Sequence, residues 1–418
     1  TLTTPVFSSS NSNARTLNFG TGKVALVGST AATVWNTGTV TSLTVSGTPL
    51  VESSGGGTSI TKTINSGALS EASTISFSLL ETTGTVTYAF TASDRVKDLV
   101  INGSQTLSNI AISIYGNLTH QTTNGTTTFT AGANAWTFAA TSGTKTITTG
   151  SLTLDWPWTF NGAGGTWQPQ NAITLGSSRN LTLTNGTLDF NSYTLSTGTF
   201  STAAGTKSLN LNNGSLVITG SGATAFNNAA PTNFTLTGTG TISLTSSSAK
   251  TFVGGGSTYT NVTVNQGGSG TLTVTGSNSF KDFSSTISSS ASATINLTAG
   301  TTTTVSAFTP TGTATYPLTI ASTSTSSVAT IYCAAGVSNY ISGADYLTVQ
   351  YLAFTPFSTN GTAPIRWYIG SHSTIRHSLT ITGALAQDYS PSAQIVYVID
   401  SGTSWSVPND FNPANNIV

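Results

Sequence analysis

The chain has 418 residues, enough for two or three ordinary domains or for one long repeat array. Only 6% of them are charged, 12 basic against 12 acidic, so the formal net charge is +0 and gives no electrostatic case for nucleic acid or an anionic membrane as partner. Hydrophobic residues make up 37% and alternate with Thr, Ser and Asn, which favours a folded β chain over a disordered low-complexity one. The single cysteine, Cys333, rules out a disulfide within the chain and reads as a small buried hydrophobe. No apolar run is long enough for a transmembrane helix, and the opening TLTTPVFSSS is neither basic nor apolar enough for a signal peptide. Methionine is absent, even at position 1, which gives the expectation of a processed product or a piece of a longer polypeptide.

Residues 1–92 are predicted to form an N-terminal β module, with strands at Lys23–Val27, Thr41–Val45 and Thr74–Phe77 and a punctuating loop at Ser53–Gly57. The charge cluster Asp94–Asp98 follows, and it reads as a solvated strand edge or as the join to the next region.

Residues 93–305 are read as a β-repeat region. Comparable strand centres are Ile101, Phe129, Leu154, Leu181, Leu209, Leu236, Val264 and Ile295, spaced by roughly 25 to 31 residues, a period that signals stacked repeats. Several copies share a strand–turn–strand shape: LTLTNGTLDF from Leu181, LNLNNGSLVI from Leu209 and FTLTGTGTISL from Phe234. Each holds too few apolar residues to bury a core alone and must lie on its neighbours. The expected fold is therefore an all-β solenoid, like a right-handed β-helix, with about three short strands per coil. Stacked antiparallel β-sandwiches or hairpins are the alternative, because Asn185-Gly186 and Asn213-Gly214 are also hairpin-turn signals.

Within the repeats, GSLTLDWPWTFNGAGGTWQPQ carries three of the seven tryptophans. Trp156 and Trp158 share a side if the chain stays extended, although Pro157 and Pro169 would interrupt a central strand. Two readings are open. Trp156, Trp158 and Trp167 hold a sugar ring, with Asp155 accepting from its hydroxyls, or the rings fill the repeat core or a subunit interface.

Residues 306–378 are predicted as a further β-rich module, with strands at Tyr316–Ile320, Asp345–Gln350 and Arg366–Ser373. Residues 379–418 follow as a C-terminal β segment leading to an expected continuation, with a strand at Gln394–Ile399. His372 and His377 sit beside Arg366 and Arg376 and lack a third close ligand, so they read as ordinary surface or interface residues. The crowding of Tyr351, Phe354, Phe357, Trp367 and Tyr368 fits a buried oligomer interface.

No catalytic, cofactor or metal site is read. The chain lacks a G-x-S-x-G elbow, HExxH, a CxxC pair and a phosphate loop with its lysine. Glycoside hydrolysis usually needs two carboxylates roughly 5 to 9.5 Å apart. Asp155, Asp189 and Asp282 share no position in the repeat register.

The series TISLTSSSAKTFVGGGSTYTNVTVNQ, TLTVTGSNSFKDF, LTAGTTTTVSAFTPTGT, YPLTIASTSTSS, ADYLTVQY and RWYIGSHST resembles the Thr/Gly-rich β-repeat proteins of tailed-bacteriophage virions. ARTLNFGTGKVALVGS and VWNTGT resemble repeats of the same group, and SGTSWSVPNDFNPANN is similar to the segment that leads into glycine-rich tail modules. The resemblance implies a tail fibre or spike component involved in host attachment, at the virion surface, extracellular. It implies a homotrimer with other virion proteins and a host surface glycan as partners, with no cofactor, nucleic acid or membrane insertion. Alternatives are a head-attached fibre or decoration protein, a bacterial surface adhesin or extracellular filament subunit, and a carbohydrate-active β-helix.

Overall fold

The structure, a computed structural model, describes residues 1–285 and 293–309 and most of 312–333. Beyond these it describes the backbone of the strands Tyr340–Ala344, Leu347–Pro356, Arg366–Ile369, Thr374–Ile381 and Trp405–Ser406. The chain is nearly all β, and its parallel strands stack as a β-solenoid. Among the described residues the sole helical turn is the 3-10 turn Glu71–Ser73.

The first coils show how the sequence makes this fold. One coil runs through Leu2–Thr4, Phe7–Ser8 and Arg15–Asn18, and the next through Lys23–Leu26, Ala32–Asn36 and Leu43–Ser46. Each strand pairs in parallel with its counterpart one coil on, as in Val24 opposite Val51, Trp35 opposite Phe7 and Leu17 opposite Val45. Three short strands per coil, joined at corners, let alternate residues point inward while the backbone groups bond to the coils on either side.

The antiparallel alternative is corrected at its own signals. Asn185 and Gly186 lie inside the strand stretch Asn180–Asp189, where Gly186 has φ 82° and turns the chain from one face of the coil to the next. Asn212 and Asn213, with φ of 44° and 64°, turn the corner that leads into Ser215–Ile218. Gly186 supplies the positive φ in the first case and Asn212 with Asn213 in the second, but the chain continues around the coil instead of folding back on itself.

The chain divides into two compact units, residues 1–197 with 203–210 and 232–235, and residues 198–202 with 211–231 and 236–418. In the first unit, stacking begins at Leu2 and crosses the expected boundary at 92/93 without a break. Leu99 lies opposite Phe77 and Ile101 opposite Leu79, while Gln105–Leu107 pairs with Val86–Phe90. The N-terminal stretch is therefore more of the same solenoid. Asp94 faces inward with no exposed surface and accepts from the Thr91 hydroxyl and the Gly67 N–H, and its strand pairs on both sides, so the edge reading is corrected, although Lys97 of the same cluster is exposed.

In the second unit, stacking likewise runs across the expected boundary at 305/306. Ile295 lies opposite Ile320, Ile320 opposite Val349, and Val349 opposite Ile375. The core is a set of columns with like on like. Phe200, Phe226 and Phe252 stack face to face, with ring centroids 5.1 Å and 4.3 Å apart. Each such fully buried ring adds about 1.5–3 kcal/mol from removal of apolar surface from water.

Of the eight strand centres read from the sequence, Ile101, Leu154, Leu181, Leu209, Val264 and Ile295 are buried, whereas Phe129 and Leu236 are half-buried. Leu209 stacks on Leu188, and Leu181 on Trp158, because Asn180–Asp189 carries two inward positions on two faces of one coil.

Candidate functional site

The tryptophan segment occupies the short strand Thr153–Leu154 and the long stretch Trp158–Pro169. Trp156, Trp158 and Trp167 all have 0% exposure. Trp158 lies between Trp136 and Leu181 of the flanking coils, Trp156 packs on Trp136 with centroids 4.6 Å apart, and Trp167 meets Phe160 at 5.6 Å. The Trp156 indole N–H donates to the carbonyl of Thr130. These rings fill the repeat core, the second of the two readings, and the sugar-platform reading of Trp156, Trp158 and Trp167 is corrected. Alternation does put Trp156 and Trp158 on one side, but that side is the interior, where large aromatic surfaces gain most.

Asp155 stays at the surface. Its carboxylate accepts from Arg179 Nε at 2.5 Å and from Nη2 at 3.1 Å, and that hydrogen bond holds its pKa below the usual carboxylate range. The outer surface of the same coils carries ladders of amides and hydroxyls on more than one of its faces. Asn185 donates to Asn161 at 2.8 Å, Gln168 to Asp189 at 3.0 Å, and Thr159 lies between Thr137 and Thr182. Neighbouring rungs of parallel strands repeat at about 4.7–4.9 Å. Such a face offers spaced donors and acceptors to a polyhydroxylated ligand. It holds no nucleophile with a base: Asp155 is bound to Arg179, and Asp189 accepts from Gln168 and from the Asn191 N–H.

Elsewhere, a cavity of about 240 Å³ at the first coils is lined mainly by Leu2, Phe7, Leu17, Phe19, Val24 and Trp35. Lys23, at its rim, pairs with Glu52 at 2.7 Å. Among the described residues no group of His, Cys, Asp and Glu is placed to hold a metal ion.

One constellation was missed by sequence reasoning. Lys62 and Glu81, both with fully buried side chains, pair at 2.6 Å. The Tyr88 hydroxyl is 2.6 Å from Ser53 Oγ and also donates to Glu81 Oε1, while the Gly56 N–H donates to Oε2 at 2.6 Å. Burial and the neighbouring Glu81 charge both push the Tyr88 phenol well above its usual pKa. The signal was present in Ile60-Thr-Lys62-Thr-Ile64: a lysine in phase with flanking isoleucines, Ile64 among the core, needs a buried partner. The loop Ser53–Gly57, read as punctuation, supplies two of the groups around it.

Of the expected interface residues, Tyr351 and Phe354 lie on Leu347–Pro356, and Trp367 and Tyr368 on Arg366–Ile369. Phe357 and the side-chain surroundings of all five lie outside the described residues, as do His372, the Cys333 side chain and the expected strand Gln394–Ile399. His377 lies on Thr374–Ile381. Comparison with protein-family models, with curated proteins and with solved structures finds no match to this chain.

Proposed function

We propose that this chain is a non-enzymatic structural component of a bacteriophage particle, a tail fibre or spike at the virion surface that takes part in host attachment. The observation that carries the reading is the coil-on-coil parallel stacking over sealed columns of aromatic and aliphatic side chains, clothed in neutral amides and hydroxyls. A protein so built carries load without a cofactor and stays soluble with few charges. The Thr/Gly-rich segments that resemble phage virion repeats supply the biological setting. The outward Asn161–Asn185 pair, and Asp155 with its Arg179 partner, supply hydrogen-bonding groups suited to a host glycan.

The proposed assembly is a homotrimer with the late aromatics Tyr351, Phe354, Phe357, Trp367 and Tyr368 at the contact. Open sheet edges favour closed symmetric association. Mass photometry on the intact chain is expected to give a trimer that Trp367→Ala with Tyr368→Ala weakens; a soluble monomer would overturn the assembly.

Immunogold microscopy of phage particles with antiserum to the purified chain tests the location. Label at the tail supports the fibre or spike, label on the head points to a head fibre or decoration protein, and unlabelled particles with labelled bacterial surfaces point to an adhesin. Reducing ends released from host polysaccharide by the purified chain would refute the non-enzymatic reading.

A further inference from the structure

We propose that Lys62 and Glu81 form a modification site: their side chains condense to an intramolecular amide that staples two layers of the solenoid together. The inference is independent of the virion assignment and rests on the interior of the first unit.

Lys62 lies on Ile60–Asn65, and Glu81 follows Ile75–Leu79 at a sequence separation of 19. Both side chains have no exposed surface, and Nζ is 2.6 Å from Oε1. Lys62 makes that single hydrogen bond, although an ammonium has three protons to donate. The ring of Tyr88 fills part of its remaining surroundings, at 5.9 Å from Nζ to the centroid. A fully buried ion pair is costly, because each charge has left bulk water. Conversion to a neutral amide removes both charges at once.

The surrounding groups suit that reaction. Oε1 receives the Tyr88 hydroxyl and Oε2 receives the Gly56 N–H, so both carboxyl oxygens are held by donors that stabilise negative charge developing on a tetrahedral centre. Register fixes the geometry, because Tyr88 lies directly opposite Lys62 on the adjoining strand. Proximity of this kind replaces a bimolecular encounter.

The step balances without a further reactant. The Lys62 ammonium passes one proton to the Glu81 carboxylate, leaving a neutral amine beside a neutral acid. The amine lone pair forms the bond from Nζ to Cδ. The bond from Cδ to one oxygen breaks, and that oxygen leaves as water with the carboxyl proton and a second proton from nitrogen. Ammonium and carboxylate become one amide and one water, with no change in oxidation state.

Other buried lysines lack the arrangement. Lys207 donates to the carbonyls of Gly205 and Thr232, and Lys250 to those of Ser246 and Ser269, and neither meets a carboxylate. They serve as internal controls.

The test is intact-mass spectrometry of the purified full chain under denaturing conditions, followed by peptide fragmentation. The expected chain is lighter than its sequence mass by one water, and fragments should place the loss in a branched peptide that joins Lys62 to Glu81. Lys62→Met should abolish the branched peptide, and Lys250→Met should keep it. Tyr88→Phe, which leaves both reacting groups in place, should slow its accumulation in freshly made protein. Any Lys62–Glu81 branched peptide from folded protein supports the site. Recovery of Lys62 and Glu81 only in separate, unmodified peptides overturns it, as does a water loss that maps elsewhere, such as to an Asn-Gly pair.

Discussion

Leu209 has no exposed surface and lies against Leu188 of the adjoining coil, while Thr182 points outward beside Asn180. Leu209→Ala is therefore expected to cost about 2–5 kcal/mol, from lost burial and the cavity left behind. Thr182→Ala should cost less than about 1 kcal/mol. Urea denaturation of the two variants checks the assignment, and equal losses would contradict it. Lys250 makes a second residue-scale case. It is 1% exposed, and burial lowers its pKa from 10.5 to about 8. Between those values the unfolded chain holds the proton that the folded chain has released, so stability rises with pH across the window. Below about pH 8 the penalty for burying the ammonium is fully present. Unfolding midpoints for the wild type and Lys250→Met, taken from pH 7 to 10, should converge as the pH rises, with Met the more stable at the acid end. Parallel profiles would show that Lys250 does not titrate there.

Strands were legible in the sequence because the signal for a strand is local: inward and outward residues alternate at period two, as in Leu272-Thr-Val274, whatever the coil above or below. Corners were less so. Asn185-Gly186 carries the same preference for positive φ in a hairpin and in a solenoid corner, and only the destination of the following strand tells them apart. The direction of a face was also ambiguous, which is why Trp156 and Trp158 admitted both a sugar platform and a core. The Lys62 pair was hidden for a different reason: its partner Glu81 sits on another coil, at a separation set by no motif. Corners nevertheless make sharp predictions. A Cβ on Gly186, at φ 82°, would come within 2.3 Å of the Gly162 carbonyl oxygen, whereas one on Gly20, at φ 54°, would meet nothing within 4 Å. Gly20→Ala should lose only the backbone strain of about 1–2 kcal/mol. Gly186→Ala should lose more, since two backbones must also part. Thermal unfolding of both variants checks the difference, and a smaller loss at Gly186 would mean that the coils are not in contact there.

At the scale of the whole molecule, each coil rests on the coils beside it, so stability is a sum of local interfaces more than of one shared core. Circular dichroism should show β signal with negligible helix. The effect of a core lesion should also stay near it. Val274→Ala is expected to speed amide exchange in Lys250–Val253 and Ala293–Leu297, the strands that pair with its own, and to leave Ala329–Cys333 unchanged. Uniform acceleration across these strands would indicate a cooperative globule. The fold class could be read from the spacing of strand centres, because a coil of few apolar residues cannot stand alone. The site could not, because the outer ladder of Thr, Asn and Gln is the ordinary surface of such strands until a ligand is placed on it.

The parallel register has a hereditary side. Val24 lies opposite Val51, so a deletion that joins Lys23 directly to Val51 would remove one whole layer and still deliver the chain to the next in phase. Losing a single residue from the same stretch would instead turn its inward side chains out. A gene for such a protein can lose or gain a full turn in phase, while small in-frame indels are resisted within the strands and taken up at the corners, whose lengths already vary from coil to coil.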